Sequence, residues 1–377
     1  MRLAEGDNVL KCVKASRSGP AITHLLFVDD CILFAEATER GARSLKHILK
    51  DYEVSSGQCV NFDKSSVFFS TNTKDGEREV VSQILGVRRA NDLERYLGLP
   101  SMVGKRKRLS FQILKDRLKQ KIDNWSIRFL FQGGKEVFIK AVLQAIPNYS
   151  MACFLLPRTL CTDMDKIIAN FWWRKRQNKK SIHWCAWKKI CLLKEDGGLE
   201  FRNFAQFNIV LLAKQGWRLI NYPDSLLAHV LKAKYFPNSD FYEAQLGNLP
   251  SFTWKSIWAA RGLLERGRGW RVGRGDQISI WTDSWIPGNE ADNIPFQVGN
   301  DNIKLVSDLI DSNSRSWKIE LIRNTFQPVI AEKILQIPLA ETVQEDFQVW
   351  RGEPTGEFFV RSAYKLLQET NLDPNGL

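Results

Sequence analysis

Asp29 and Asp30 stand side by side in His24-Leu25-Leu26-Phe27-Val28-Asp29-Asp30-Cys31-Ile32-Leu33-Phe34. Neighbouring carboxylates raise each other's pKa unless a cation offsets their repulsion, and a hard divalent ion such as Mg²⁺ is the usual oxygen-seeking partner. A plain turn is the alternative, since Asp is common in turns. Two apolar runs flank the acids, Leu25 to Val28 and Cys31 to Phe34, and both read as strands that place the pair at a hairpin turn. Apolar residues on both faces of each strand predict a hairpin packed into a larger sheet, which would hold the carboxylates in place.

The elements around that hairpin follow from local signals. Ser18-Gly19-Pro20 turns the chain into it. After it, Thr38 can cap a helix whose apolar positions Leu45, Ile48, Leu49 and Tyr52 recur at helical spacing, with Gly57 just past its end. Val60 to Ser70 reads as a strand interrupted at its start by Asn61 and Asp63. Glu77 to Leu85 reads as a short amphipathic helix through Val80, Val81, Ile84 and Leu85, stopped by Gly86. Hairpin, helix and strand in this order predict an α+β fold in which the helix covers one sheet face.

Beyond Pro100 the chain turns helical and basic, and a domain boundary is placed there. Lys105-Arg106-Lys107-Arg108 is the densest charge run: a phosphate-binding or nuclear-localisation-like patch, or a solvated linker. From Ser110 to Trp125, Phe111, Leu114, Leu118, Ile122 and Trp125 trace one helical face, with Lys115, Arg117, Lys119 and Lys121 on the rest. A second helix is predicted over Lys135 to Ile146 through Val137, Phe138, Ala141, Val142 and Ala145, ended by Pro147, and a third from about Asp163 to Phe171. Such a basic bundle suits a nucleic-acid backbone.

Charge supports that reading. The 377 residues carry a net +12. Residues 101 to 220 hold 24 Lys and Arg against 8 Asp and Glu, so this segment carries more than the whole excess, as expected if it lies along a polyanion. The alternative is a basic face kept for solubility. Seven cysteines at irregular spacings describe no disulfide framework and point to a reducing, intracellular compartment. His183, Cys185 and Cys191 lack the Cys-x-x-Cys pair or second His that four zinc ligands need, so they read as core. No apolar run approaches the ~18 residues of a membrane span.

Further along come Arg174-Lys175-Arg176 and Lys179-Lys180, then Trp184 and Trp187 with Lys188 and Lys189. The indoles could stack bases, or share one buried face at i and i+3. Gly197-Gly198-Leu199 precedes a long helix from Asn203 to Ile220, with Phe204, Phe207, Val210, Leu211 and Trp217 inward. After Asn221 the chain is Gly- and Trp-rich. Leu226 to Tyr235 reads as a helix, Ile278 to Trp281 as a strand, and Trp281 to Trp285 as a turn that Asp283 caps.

Gly19 to Asp30 resembles the catalytic hairpin of reverse transcriptases of plant LINE-type non-LTR retrotransposons. Ser56-Gly57-Gln58-Cys59-Val60-Asn61-Phe62-Asp63-Lys64-Ser65 resembles the next palm motif, and Tyr96-Leu97-Gly98-Leu99-Pro100 the turn that closes the palm. Downstream likenesses lie at Leu130 to Val137, Ile146-Pro147-Asn148-Tyr149, Phe171-Trp172-Trp173 and Gln348 to Tyr364. The resemblance implies a C-terminal part of the palm over residues 1–100, a basic helical thumb-like domain over 101–220, and over 221–377 a mixed connecting region ahead of a cysteine-rich module.

It also implies two-metal-ion nucleotidyl transfer, copying RNA into DNA from deoxynucleoside triphosphates on an RNA template and DNA primer. Asp29 and Asp30 would be ligands to Mg²⁺. Lys64 would protonate the leaving pyrophosphate, or else is an exposed lysine at a strand edge. Lys105, Arg106, Lys107, Arg108, Lys115 and Lys119 would grip nucleic acid, with no membrane partner and a nuclear location. The family's first acidic position has no counterpart, since neither Glu5 nor Asp7 lies in a strand-like run. The expectation is therefore a truncated reverse transcriptase, inactive by itself. The alternatives are a nucleic-acid-binding module and a retroelement remnant without function.

Overall fold

Where local signals are strong, the chain does what they dictate. Thr38 accepts the Gly41 N–H and starts a helix over Glu39–Ser56, and Gly57 ends it in the left-handed conformation, φ 71°. Asp75–Leu85 follows as a second helix and stops at Gly86, φ 68°. The computed structural model describes residues 13–90, 95–100, 103–104, 107–123, 130–174, 182–288, 303–311, 313–340 and 342–370. About 49% of the described residues are helix and 10% strand, in small separate sheets, which makes the fold α+β.

The chain divides into two compact units, Met1–Asp116 with Tyr222–Trp254, and Arg117–Asn221 with Lys255–Leu377. In the first unit every sheet among the described residues is two-stranded: Val13–Lys14 with Ala21–Ile22, His24–Phe27 with Asp30–Leu33, Ser66–Val67 parallel to Arg88–Arg89, and Arg95–Tyr96 with Leu99–Pro100. The strand expected over Val60 to Ser70 shrinks to Ser66–Val67. Asn61 explains the loss: its side chain accepts the Lys64 N–H at 3.0 Å and its carbonyl the Ser65 hydroxyl at 2.8 Å, so residues 61–64 curl into a turn. A separate aromatic knot stacks Tyr235 and Phe236 on the fully buried Trp254, at 4.9 and 5.3 Å.

The second unit is built around the helix Phe204–Asn221, which buries Phe204, Phe207, Val210 and Trp217. Beside it run Arg158–Trp173 and Val360–Glu369, the latter through the edge contact of Tyr364 on Phe207 at 6.0 Å. The predicted helix over Lys135 to Ile146 is instead Gln132–Ala141 followed by a tight turn over Leu143–Ala145. Its inner face is Lys135, Ile139 and Leu143, while Val137 is 66% exposed. The apolar count misplaced that face because Lys135 turns inward and donates to the Arg174 carbonyl. Ile278 to Trp281 forms no strand, only an isolated bridge from Ser279 to Leu305. The turn at Trp281 to Trp285 is as expected: Asp283 accepts the Ser279 N–H at 2.8 Å, and the Trp285 indole donates to the Ile280 carbonyl.

Two close approaches shape this unit. Gly267 faces the Trp350 ring so closely that a Cβ there would lie 2.1 Å from it, and Trp350 in turn meets Trp217 edge-on. Asp346 is buried between strands and loop, and its carboxylate accepts the N–H groups of Gly273, Gly275 and Gln277 at 2.6, 2.9 and 3.0 Å. Among the described residues no helix is long and apolar enough to cross a membrane.

Candidate nucleic-acid interface

Strands His24–Phe27 and Asp30–Leu33 pair antiparallel with Phe27 opposite Asp30, so Val28 and Asp29 form a two-residue loop. Both carboxylates therefore sit at the tip of a two-stranded ribbon, where the apolar spacing predicted them. Val28 takes φ 51°, a left-handed value rare for a β-branched residue. The ribbon is not embedded in a larger sheet, contrary to the sequence expectation, because it pairs with no further strand among the described residues. Leu26, Phe27 and Val28 are 67%, 57% and 87% exposed. The apolar pattern marked residues able to be covered, not residues covered by these elements.

A second tight hairpin stands near the first. Leu97 and Gly98 both have positive φ, 52° and 76°, the pattern of a type I′ turn, and they join Tyr96 to Leu99. The Tyr96 hydroxyl has its pKa raised, first by partial burial and then by the charges of Asp30 and Cys31. The two segments singled out at Asp29-Asp30 and Tyr96 to Pro100 thus share one neighbourhood. Lys64 is exposed in the turn described above and makes no ion pair with either carboxylate among the described residues.

The described residues do not complete a metal centre. Among the described residues no group of three or more His, Cys, Asp and Glu side chains is placed to hold an ion. Two exposed neighbours on a turn supply oxygen ligands but, among the described residues, no enclosing set.

The basic candidates spread along two helices. Lys107 and Arg108 lie on the short helix Lys107–Ser110, with the Lys107 ammonium 4.5 Å from the Phe252 ring centroid. Lys115 and Lys119 lie one turn apart on Gln112–Asp123, half-buried and exposed respectively. Phe111, Leu114, Leu118 and Ile122 are buried as their spacing predicted. Lys105, Arg106, Trp125, Lys175, Arg176, Lys179, Lys180, Glu5 and Asp7 lie outside the described residues. Trp184 and Trp187 do not share a buried face: Trp184 is 70% exposed, while Trp187 donates its indole N–H to Asp165 at 3.3 Å.

Sequence reasoning missed the buried polar residues that organise the second unit. Asp165 carries a carboxyl pushed up to about 7 by burial, against the lowering pull of its bonds from the Trp187 indole and the Phe204 backbone. Around it the Cys161 thiol is pushed up to about 12, and the Cys191 thiol and Tyr364 hydroxyl are also raised, each first by burial and each feeling Asp165. Raised thiol pKa values make Cys161 and Cys191 inert packing residues. Their only trace in the sequence was polarity at helical core positions, Asp165 one turn after Cys161 and Asn208 one residue after Phe207.

No protein-family model matches the chain. It is similar to two proteins of Arabidopsis thaliana. One is named "Putative ribonuclease H protein At1g65750", 30% identical over 270 residues, which take 68% of this chain and 42% of that protein; the chain thus spans less than half of it. The other is the uncharacterized mitochondrial protein AtMg00310, 44% identical over 143 residues, which take 38% of this chain and 93% of that protein. At that identity and coverage, the chain belongs to the family of the mitochondrial protein AtMg00310.

Proposed function

We propose that this chain is a retroelement-derived segment of a LINE-type reverse transcriptase, running from the catalytic hairpin through palm end, thumb-like helices and connecting region, and that it binds primer–template nucleic acid. Residues 1–100, 101–220 and 221–377 take those three parts. One observation carries the reading: a hairpin with Asp29 and Asp30 at its tip stands near the Tyr96 to Pro100 turn. A relative named as a ribonuclease H protein supports a role with nucleic acid. The surplus of basic residues over 101–220 supports electrostatic attraction to phosphates. In this reading Lys105 to Arg108, Lys115 and Lys119 contact phosphates and the chain works in the nucleus.

Asp29 and Asp30 offer two of the carboxylates that two-metal transfer needs, with no third ligand beside them among the described residues. The reading therefore gives this chain binding without polymerisation on its own. Its test is fluorescence anisotropy on an RNA template with a DNA primer across a salt series, together with primer extension in Mg²⁺. Expected are binding whose logarithm falls linearly with log salt, a slope shallower by about one for each phosphate that Lys105 to Arg108 no longer neutralise once replaced by Ala, and no extension. Salt-independent binding, or none, overturns the nucleic-acid role. Extension abolished by Asp29→Asn overturns the claim of inactivity.

A further inference from the structure

Asp165 lies in the middle of the helix Arg158–Trp173, and the Trp187 indole N–H donates to its Oδ1 at 3.3 Å. The Phe204 backbone N–H is a second donor, and only 8% of the residue is exposed. Both donors are neutral, so an ionised Asp165 receives no counter-charge from either. The titratable groups nearest it come from three elements. Cys161 stands one turn earlier on the same helix, Cys191 follows the short helix Trp187–Ile190, and Tyr364 belongs to Val360–Glu369. All three have pKa values raised first by burial, and all feel Asp165. Nearby cations act elsewhere: Arg158 on Cys161, Arg202 on Tyr364, while Lys166, Lys188 and Lys189 are exposed to water.

The segment that Trp187 ties down is closed upon itself. Leu199 and Glu200 donate their N–H groups to the carbonyls of Ile190 and Leu192, both at 2.9 Å. Gly197 turns the chain at φ 78°, and a Cβ on Gly198 would lie 2.0 Å from the Leu192 carbonyl oxygen. Outward links include Trp187 stacked on Phe201 at 5.2 Å, the Gln368 amide donating to the Cys191 carbonyl at 3.0 Å, and Lys365 paired with Glu195 at 3.4 Å. The last is a surface pair, of a kind worth little. Beneath the segment Ile190 and Cys191 are 5% and 2% exposed.

We propose that Asp165 is a proton-controlled latch on residues 186–200: neutral, it keeps the segment seated; ionised, it drives the segment off and admits water to the carboxylate. In the seated state burial raises this carboxyl from 3.8 to about 7. With the segment lifted, the group meets water and returns to its ordinary value. The seated state therefore holds a proton that the lifted state releases, and lifting becomes easier as pH rises from about 4, levelling off above about 7. Cys161, Cys191 and Tyr364 stay neutral over that range, which leaves the dependence to Asp165. The latch works whether or not the chain meets nucleic acid.

Hydrogen exchange of the full chain, read by mass spectrometry as protection relative to the intrinsic rate at each pH, tests the latch. Protection over 186–200 is expected to fall about ten- to fiftyfold from pH 5 to 7 and then hold to pH 8, while the helix Pro328–Leu335 keeps its protection. Asp165→Asn retains an acceptor for Trp187 and is expected to flatten the dependence. Trp187→Phe removes the donor and leaves the carboxyl, so protection should be lower at every pH with the slope kept. Protection over 186–200 that does not change with pH in the unmodified chain overturns the latch, a result that needs no variant to fold. An equal fall at Pro328–Leu335 also overturns it, because unfolding of the whole unit then accounts for the change. So does a pH dependence that persists in Asp165→Asn.

Discussion

Trp187 donates its indole N–H to Oδ1 of Asp165 across 3.3 Å, tying the short helix Trp187–Ile190 to the middle of Arg158–Trp173. Asp165 is 8% exposed and also accepts a backbone bond from Phe204, at the first turn of the unit's central helix. One carboxyl therefore joins three helices, in surroundings that disfavour its charge.

That burial fixes a pH dependence. The Asp165 pKa is raised from 3.8 in the ordinary carboxyl to about 7 in the folded chain. Between those values the folded state keeps a proton that the unfolded state has released, so stability falls as pH rises from about 4 to 7, by at most about 1.4 kcal/mol per pH unit from this group. The neighbouring Cys161, Cys191 and Tyr364 are all shifted upward and stay neutral through this window. Asp165→Asn keeps an acceptor for Trp187 and removes the titration. Urea midpoints measured from pH 4.5 to 7.5 should decline less steeply in the variant, with the variant the more stable at pH 7.5.

Asn208 is 1% exposed and closes three bonds at once: its Oδ1 accepts the Leu156 N–H at 2.7 Å, and its Nδ2 donates to the carbonyls of Met151 and Phe154 at 2.8 and 2.9 Å. Removing the side chain strands three backbone groups of the 151–156 turn away from water. Asn208→Ala should cost about 3 kcal/mol or more, read from the urea midpoint at constant slope.

What could be read from the sequence was what neighbours in the chain decide. The Asp29-Asp30 hairpin, the Thr38 to Gly57 helix and the buried row Phe111, Leu114, Leu118 and Ile122 all rest on short-range spacing and caps. Asn208 and Asp346 bond to backbone 52 and 73 residues away, and a distant partner leaves no periodic trace. Lys135 defeated the pattern because a lysine is normally written on the outer face, yet a carbonyl at position 174 draws it inward. The exposed hairpin shows the reverse failure: alternation tells which residues are apolar and not what covers them.

Asp346 offers a local test in the C-terminal part of the second unit. Its carboxylate gathers the N–H groups of Gly273, Gly275 and Gln277, while Arg315 holds the Gly273 carbonyl at 2.9 Å. Asp346→Ala leaves the arginine bond and deletes the carboxylate, so the loop should open without global unfolding. Hydrogen exchange at 273–277 is expected to speed up by about tenfold or more, with exchange in the helix Phe204–Asn221 unchanged.

Val28 holds the loop that carries Asp29 in a conformation its side chain resists. At φ 51° a β-branched residue crowds its own backbone, at a cost of about 1–2 kcal/mol, and with 87% exposure it recovers little through packing. Glycine adopts this geometry freely but loses more chain entropy on folding, about 0.5–1 kcal/mol. The difference favours Val28→Gly by about 0.5–1 kcal/mol, whereas Val28→Pro, locked near φ −65°, should open the ribbon. Exchange protection of the peptide covering residues 24–33 reads both changes, rising for glycine and falling for proline. Equal loss of protection in the two variants would mean that the valine side chain, not the turn geometry, keeps Asp29 and Asp30 at the tip.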